Sequence, residues 1–88
     1  MAWTINYTDS ALKELRKIDR KQARRILDFM DERISVLANP RDHGKALTGP
    51  LGALWRFRIG GYRVICDIQD VELLVLVVKI GKRENVYR

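Results

Sequence analysis

At 88 residues the chain has room for one hydrophobic core and no second domain, and a domain of this size buries only about 60 to 65% of its unfolded surface. Hydrophobic residues make up 47% and charged residues 32%, a balance that excludes a disordered chain. Seventeen Lys and Arg against eleven Asp and Glu give a net charge of +6 and an isoelectric point near 9.9, which directs attention to polyanionic partners: RNA, DNA or an acidic protein.

The N-terminal residues MAWTINYT show no basic segment followed by an apolar run. No stretch reaches the ~18 apolar residues that a membrane span requires, so a cytoplasmic protein that does not engage membranes is expected. Trp3, Ile5 and Tyr7 alternate with Ala2, Thr4 and Asn6, the period of an edge strand that gives three side chains to the core. Thr8 or Asp9 can cap the helix that follows, in which Ala11, Leu12, Leu15 and Ile18 form the apolar stripe. Asp19 with Gln22 three residues on resembles a capping box for a second helix. Ala23, Ile26, Leu27, Met30, Ile34 and Leu37 keep helical spacing from there until Asn39-Pro40 stops it.

The outward face of this helical hairpin is basic through Lys13, Arg16, Lys17, Arg20, Lys21, Arg24 and Arg25. Such a run either is a solvated helix face, moderated by Glu14, Asp19 and Asp28, or docks onto RNA phosphates. Glycines at 44, 49 and 52 and Pro50 predict a loop from Arg41 to Ala53, with Leu47 and Leu51 pinning it down. His43, the only histidine, falls in this loop without Cys or His neighbours and so suggests neither a metal site nor a catalytic one.

From Trp55 to Ile59 the residues alternate apolar and charged, and Gly60-Gly61 separates this run from a second one, Tyr62 to Ile68. A Gly-Gly pair between two alternating runs predicts a two-residue hairpin, because glycine accepts the positive φ of primed turns. The register that follows sets Ile59 opposite Tyr62, Arg58 opposite Arg63 and Phe57 opposite Val64. One face then carries Trp55, Phe57, Ile59, Tyr62, Val64, Cys66 and Ile68, and the other Arg56, Arg58 and Arg63. Cys66 is read as a small core residue with no disulfide or metal role. Like charges directly opposite each other in a sheet are unfavourable by a few tenths to about 1 kcal/mol per pair. A solvated face screened by salt is the plain alternative, but three planar guanidinium groups suit an anion site. Leu73 to Ile80, apolar almost without a break, predicts a central strand, followed by the polar tail Gly81 to Arg88. The sum is a single α+β domain, residues 1–88: an N-terminal strand and a two-helix hairpin packed on one face of a mainly antiparallel sheet of about four strands.

The succession W-R-F-R-I-G-G-Y-R-V-I at residues 55–65, followed by V-V-K-I-G-K-R-E-N-V-Y at 77–87, resembles the RelE family of bacterial toxins. That family's pattern is an aromatic-basic-x-basic strand, a glycine turn with Tyr-Arg, and a buried strand ending in Gly, Lys or His, then Arg, with Tyr four residues later. The match spans the second half of the chain, and the first half fits in length and helix order. The resemblance implies a ribosome-dependent endoribonuclease of a toxin–antitoxin system. Such a toxin enters the decoding site, cuts messenger RNA, inhibits translation under stress and is neutralised by a cognate antitoxin. It also implies contact with 16S rRNA, no cofactor and no metal. By motif position, the family's catalytic basic pair falls on Arg56 and Arg58, its phosphate-binding arginine on Arg63, its basic residue after the buried strand on Arg83, and its tyrosine on Tyr87. Many relatives have lysine where this chain has Arg56 and Arg58, and some carry a further C-terminal helix beyond the position of Arg88.

RNA cleavage through the neighbouring 2′-hydroxyl needs a base, charge to stabilise the phosphorane-like transition state, and an acid for the leaving oxygen. Nearby cations lower a tyrosine's pKa, so Tyr87 is the expected base, while Arg58, Arg63 and Arg83 act chiefly as phosphate clamps. Lys13, Arg16, Lys17, Arg20, Lys21, Arg24 and Lys82 are the expected RNA-docking cations. Two other readings stand beside this one: a non-enzymatic toxin similar to ParE that inhibits DNA gyrase, and a simple nucleic-acid-binding module.

Overall fold

The computed structural model describes residues 2–47 and 53–82. Five strands and two α-helices follow in the order β1 (Thr4–Tyr7), α1 (Asp9–Lys17), α2 (Arg20–Phe29), β2 (Lys45–Ala46), β3 (Trp55–Ile59), β4 (Tyr62–Gln69) and β5 (Leu74–Lys82). They form one sheet of order β1-β5-β4-β3-β2, antiparallel except where β1 pairs with β5. The expected count of about four strands is thus raised to five. The addition is β2, two residues inside the segment read as loop, too short to show any period.

The helices start where their caps require. Thr8 Oγ accepts from Ala11 N at 3.1 Å, and Asp19 Oδ2 accepts from Gln22 N at 3.3 Å. The second helix ends earlier than its spacing to Leu37 implies: α2 widens into a π-helical turn at Met30–Ile34, after which the chain turns. Ile26, Met30 and Ile34 are all buried. An α-helix drifts by roughly 40° over each four-residue step, and a wider turn keeps four-spaced side chains on one side. Ser35 O, at the end of this turn, accepts from Trp3 N at 2.7 Å, which ties the helix end to the chain entering β1.

α1 packs on β5 and α2 on β3, so both cover one face of the sheet. The core there contains Ala11, Leu15, Phe57, Val64, Val75 and Val77, with Cys66 fully enclosed. Burial pushes the Cys66 thiol up, and burial with the nearby Asp31 pushes the Tyr7 phenol up, so neither ionises to serve as nucleophile or base. Among the described residues no helix is long and apolar enough to cross a membrane.

A β-bulge interrupts the β4–β5 ladder: Ile65 pairs with Lys79 but Cys66 with Val77, leaving Val78 as the extra residue. Residues 75, 77 and 80 therefore all face the helices, which is how the apolar run on β5 satisfies a two-sided sheet. β5 continues through Gly81 to Lys82, two residues past the end expected for the strand.

Candidate functional site

The uncovered face of the sheet is where the hairpin register places its arginines. β3 and β4 pair as Ile59–Tyr62, Arg58–Arg63 and Phe57–Val64, the arrangement expected from Gly60-Gly61. Gly60 has φ +61°, a conformation that favours glycine. Arg58 is exposed, and Arg56 and Arg63 are half-buried. Lys45 on β2 pairs with Arg56, and Lys79 on β5 pairs with Ile65, so both add further cations to that face. A small apolar cluster of Leu47 and Ile65, joined by Leu54 and Val78, floors the region beside them.

The segment before β2 crosses the sheet margin at close range. Gly44 adopts φ +78°, and a Cβ there would stand 2.3 Å from Arg56 O and 2.9 Å from a Phe57 ring carbon. Only glycine lets this backbone lie so near β3. Trp55 Nε1 donates to His43 O at 2.6 Å and fixes the crossing. His43 thereby rests its imidazole against Phe57, with centroids 6.3 Å apart and planes at 24°, and against Phe29 at 5.4 Å. His43, Gly44, Lys45, Arg56 and Arg58 together line an open cleft of about 200 Å3.

His43 corrects the sequence reading, which set it apart from the arginines. Lys45 pairs with Arg56, and the residues just before it, His43 and Gly44, line the cleft with Arg56 and Arg58, while the His43 ring itself packs on Phe29 and Phe57 at the helix-covered side. Lys45 was likewise not among the expected site residues. The signal for both was the two-residue β2 strand, invisible to periodicity, with Gly44 as its one local clue. Arg83 and Tyr87 lie outside the described residues, as do Gly49, Pro50, Leu51 and Gly52.

Lys82 pairs with Tyr62, a residue of the helix-covered side, whereas Arg63 pairs with Gly81. Lys82 therefore stands on the opposite face from Arg56, Arg58 and Arg63, alongside the helix cations. Lys13, Arg16, Lys17, Arg20, Lys21 and Arg24 are all exposed. Two of them are paired: Lys17 with Glu14 at 3.7 Å and Arg24 with Asp28 at 3.2 Å. Exposed pairs of this type contribute about 0.3 to 0.5 kcal/mol each. Arg25 comes within reach of the hairpin tip, its Nη1 lying 3.2 Å from where a Cβ on Gly60 would be. The helix cations thus approach the turn from which Arg58 and Arg63 extend on the other side.

The description "ParE toxin of type II toxin-antitoxin system, parDE" belongs to the family model that matches residues 5–87. The mRNA interferase toxin RelE of Escherichia coli is 33% identical over 89 residues, covering 97% of this chain and 87% of that one. Among solved structures, the toxin–antitoxin complex RelBE2 from Mycobacterium tuberculosis aligns with TM-score 0.86 at 24% identity, over 97% of this chain and 95% of that one. The archaeal RelE–RelB complex from Pyrococcus horikoshii aligns with TM-score 0.73 at 26% identity, over 98% and 100%. The sheet order, the helical hairpin over one face and the near-complete match converge: the chain belongs to the RelE/ParE superfamily of type II toxin–antitoxin toxins.

Proposed function

We propose that this toxin is an endoribonuclease that cuts messenger RNA in the ribosomal A site. The observation that carries the reading is the direct opposition of Arg58 and Arg63 on the uncovered face, beside Arg56. Like charges so placed weaken a sheet, and a bound phosphodiester turns that cost into a gain by accepting forked hydrogen bonds. The relative named mRNA interferase toxin RelE supports the same chemistry.

In this mechanism the 2′-hydroxyl attacks the adjacent phosphorus, and Arg56, Arg58, Arg63 and Arg83 stabilise the charge that gathers on the phosphoryl oxygens. Tyr87, its phenolate favoured by those cations, takes the 2′-hydroxyl proton. Lys13, Arg16, Lys17, Arg20, Lys21, Arg24 and Lys82, on the helix-covered side, dock against the phosphates of 16S rRNA. Orientation of the message by the ribosome supplies much of the acceleration, so naked RNA is cut slowly. A cognate antitoxin neutralises the toxin by bringing acidic residues to the arginine face, and relatives solved with antitoxins support such a partner.

Primer-extension mapping in a purified translation system, with and without ribosomes, tests this. Native protein is expected to cut within the A-site codon only when ribosomes are present, and Tyr87→Phe to slow cutting on the order of 10² to 10⁴-fold. Equal cutting of free RNA removes the ribosome from the reading. One observation favours a second reading, a non-enzymatic inhibitor of DNA gyrase: the matching family model is described as ParE. Growth arrest with no messenger cuts and with lost supercoiling activity selects it.

A further inference from the structure

The turn between β3 and β4 is where the basic helix face and the arginine face come nearest to each other. Gln22 and Arg25, three residues apart and so on one side of α2, both reach it: a Cβ on Gly60 would stand 3.2 Å from Arg25 Nη1 and 3.4 Å from Gln22 Oε1. The Arg25 guanidinium thus lies against the flank of the turn that faces the helices. Among the described residues no carboxylate pairs with it, whereas its neighbour Arg24 is held by Asp28 at 3.2 Å. On the other flank Arg58 and Arg63 form the second rung from the turn, after Ile59 and Tyr62, and Arg58 is roughly 7 Å from Gly60 along the strand.

Between these cations the tip carries no side chains. Gly60 needs its glycine for a positive φ. Gly61 does not: its φ is not positive, and a Cβ there would meet nothing within 4 Å. Neither backbone conformation nor packing accounts for glycine at 61, and a bare backbone at that point suits the close approach of another chain.

We propose that the messenger strand crosses the bare Gly60-Gly61 tip, and that Arg25 holds, on the helix side, a phosphate of that strand neighbouring those clamped by Arg58 and Arg63. The inference rests on the RNA-cleaving reading and deepens it by adding a positioning residue from α2. The guanidinium fork matches a phosphodiester. Held on both sides of the tip, the strand loses the freedom to slide over the arginine face, and its 2′-hydroxyl is kept near the line of attack. Arg25 thereby serves the message, whereas the outward cations of α1 and α2 serve the rRNA.

Single-turnover cutting on programmed ribosomes tests this with native protein and Arg25→Gln. The substrates are a native message and a set of messages that each carry one uncharged methylphosphonate at a linkage flanking the cut. On the native message Arg25→Gln should cut about tenfold more slowly, the size of one charge-assisted contact. Arg25→Lys should recover part of the loss, because lysine keeps the charge without the fork. One of the neutralised linkages should slow native protein by a similar factor and slow Arg25→Gln no further, since the two changes remove the same contact. Gly61→Asp, for which the fold has room, should also slow cutting of the native message by setting a carboxylate in the path of the strand. Native-rate cutting by Arg25→Gln or by Gly61→Asp overturns the inference and leaves the nuclease reading intact. So does an Arg25→Gln defect of the same size on every neutralised message, because that pattern belongs to a contact with rRNA or to the fold itself. If native protein cuts no message, the nuclease reading falls and this inference with it.

Discussion

The two faces of the sheet are built from alternate residues of the same strands and obey opposite rules. On β3, Phe57 is 0% exposed beneath α2, while its neighbours Arg56 and Arg58 point to the uncovered side. The covered face gathers apolar volume and has no buried charged group among the described residues. The uncovered face sets cation against cation and is floored by only a small apolar cluster. Stability and candidate chemistry are thus separated by one residue of strand period, so each can be altered with little effect on the other.

The sharpest attempt to break this separation is a pair of substitutions on β3. Phe57→Ala should lower stability by about 3 to 5 kcal/mol through lost burial and the cavity left behind, measured by chemical denaturation. Arg58→Ala, the next residue along and on the opposite face, should leave stability unchanged or raise it by a few tenths of a kcal/mol, since it removes a like-charge pair. Comparable losses at the two positions would mean that the arginine face is structural.

Gly44→Ala tests the point where the chain passes from one face to the other. The positive φ and the approach to Arg56 O leave no room for a Cβ, so the substitution should cost about 1 to 3 kcal/mol in backbone strain. Its effect should be local: hydrogen exchange at β2 should accelerate while β4 and β5 stay protected. The cleft should lose its His43 and Lys45 wall, and RNA cutting should fall even at temperatures where the protein stays folded.

How much of this was legible in the sequence follows from where period and turn chemistry speak. Gly60-Gly61 between two alternating runs determined the turn, hence the register, hence which residues share each face of β3 and β4. Thr8 and Asp19 announced both helix starts. The site was legible only in part. His43 and Lys45 reach it through a two-residue strand whose pairing depends on β3 and not on any local pattern. The face on which Lys82, one of the expected RNA-docking cations, stands is not given by counting alone. Counting by twos from Val75 and Val77 puts residue 82 on the arginine side, but the bulge at Val78 shifts the period by one and carries it to the helix side. The π-helical turn that shortens the second helix was hidden for the same reason, because one extra residue in a turn leaves no compositional mark.

The smallest expected effect lies at the far end of the crossing segment. Before reaching His43, the chain makes a 3-10 turn at Pro40–Asp42, and Arg41 bridges from it to Asp70 in the β4–β5 turn with contacts of 2.8 and 2.9 Å. The hydrogen bond from Arg41 holds the Asp70 carboxyl below the usual carboxylate range and the guanidinium above its own. A carboxyl with a lowered folded-state pKa stabilises the fold fully above its unfolded value, near 3.9, and the contribution is lost as pH falls through the folded value. Native protein and Asp70→Asn should therefore differ slightly in denaturation midpoint at pH 7 and converge as the solution is acidified below about 4. The pair is exposed, so 1 M salt should shrink the difference at pH 7 as well. If the bridge also steadies the segment that carries His43 and Lys45, Asp70→Asn should slow RNA cutting modestly at neutral pH without changing where on the message the cut falls. A variant that cuts normally would confine the bridge to stability and leave Gly44 and Trp55 as the elements that hold the cleft wall in place.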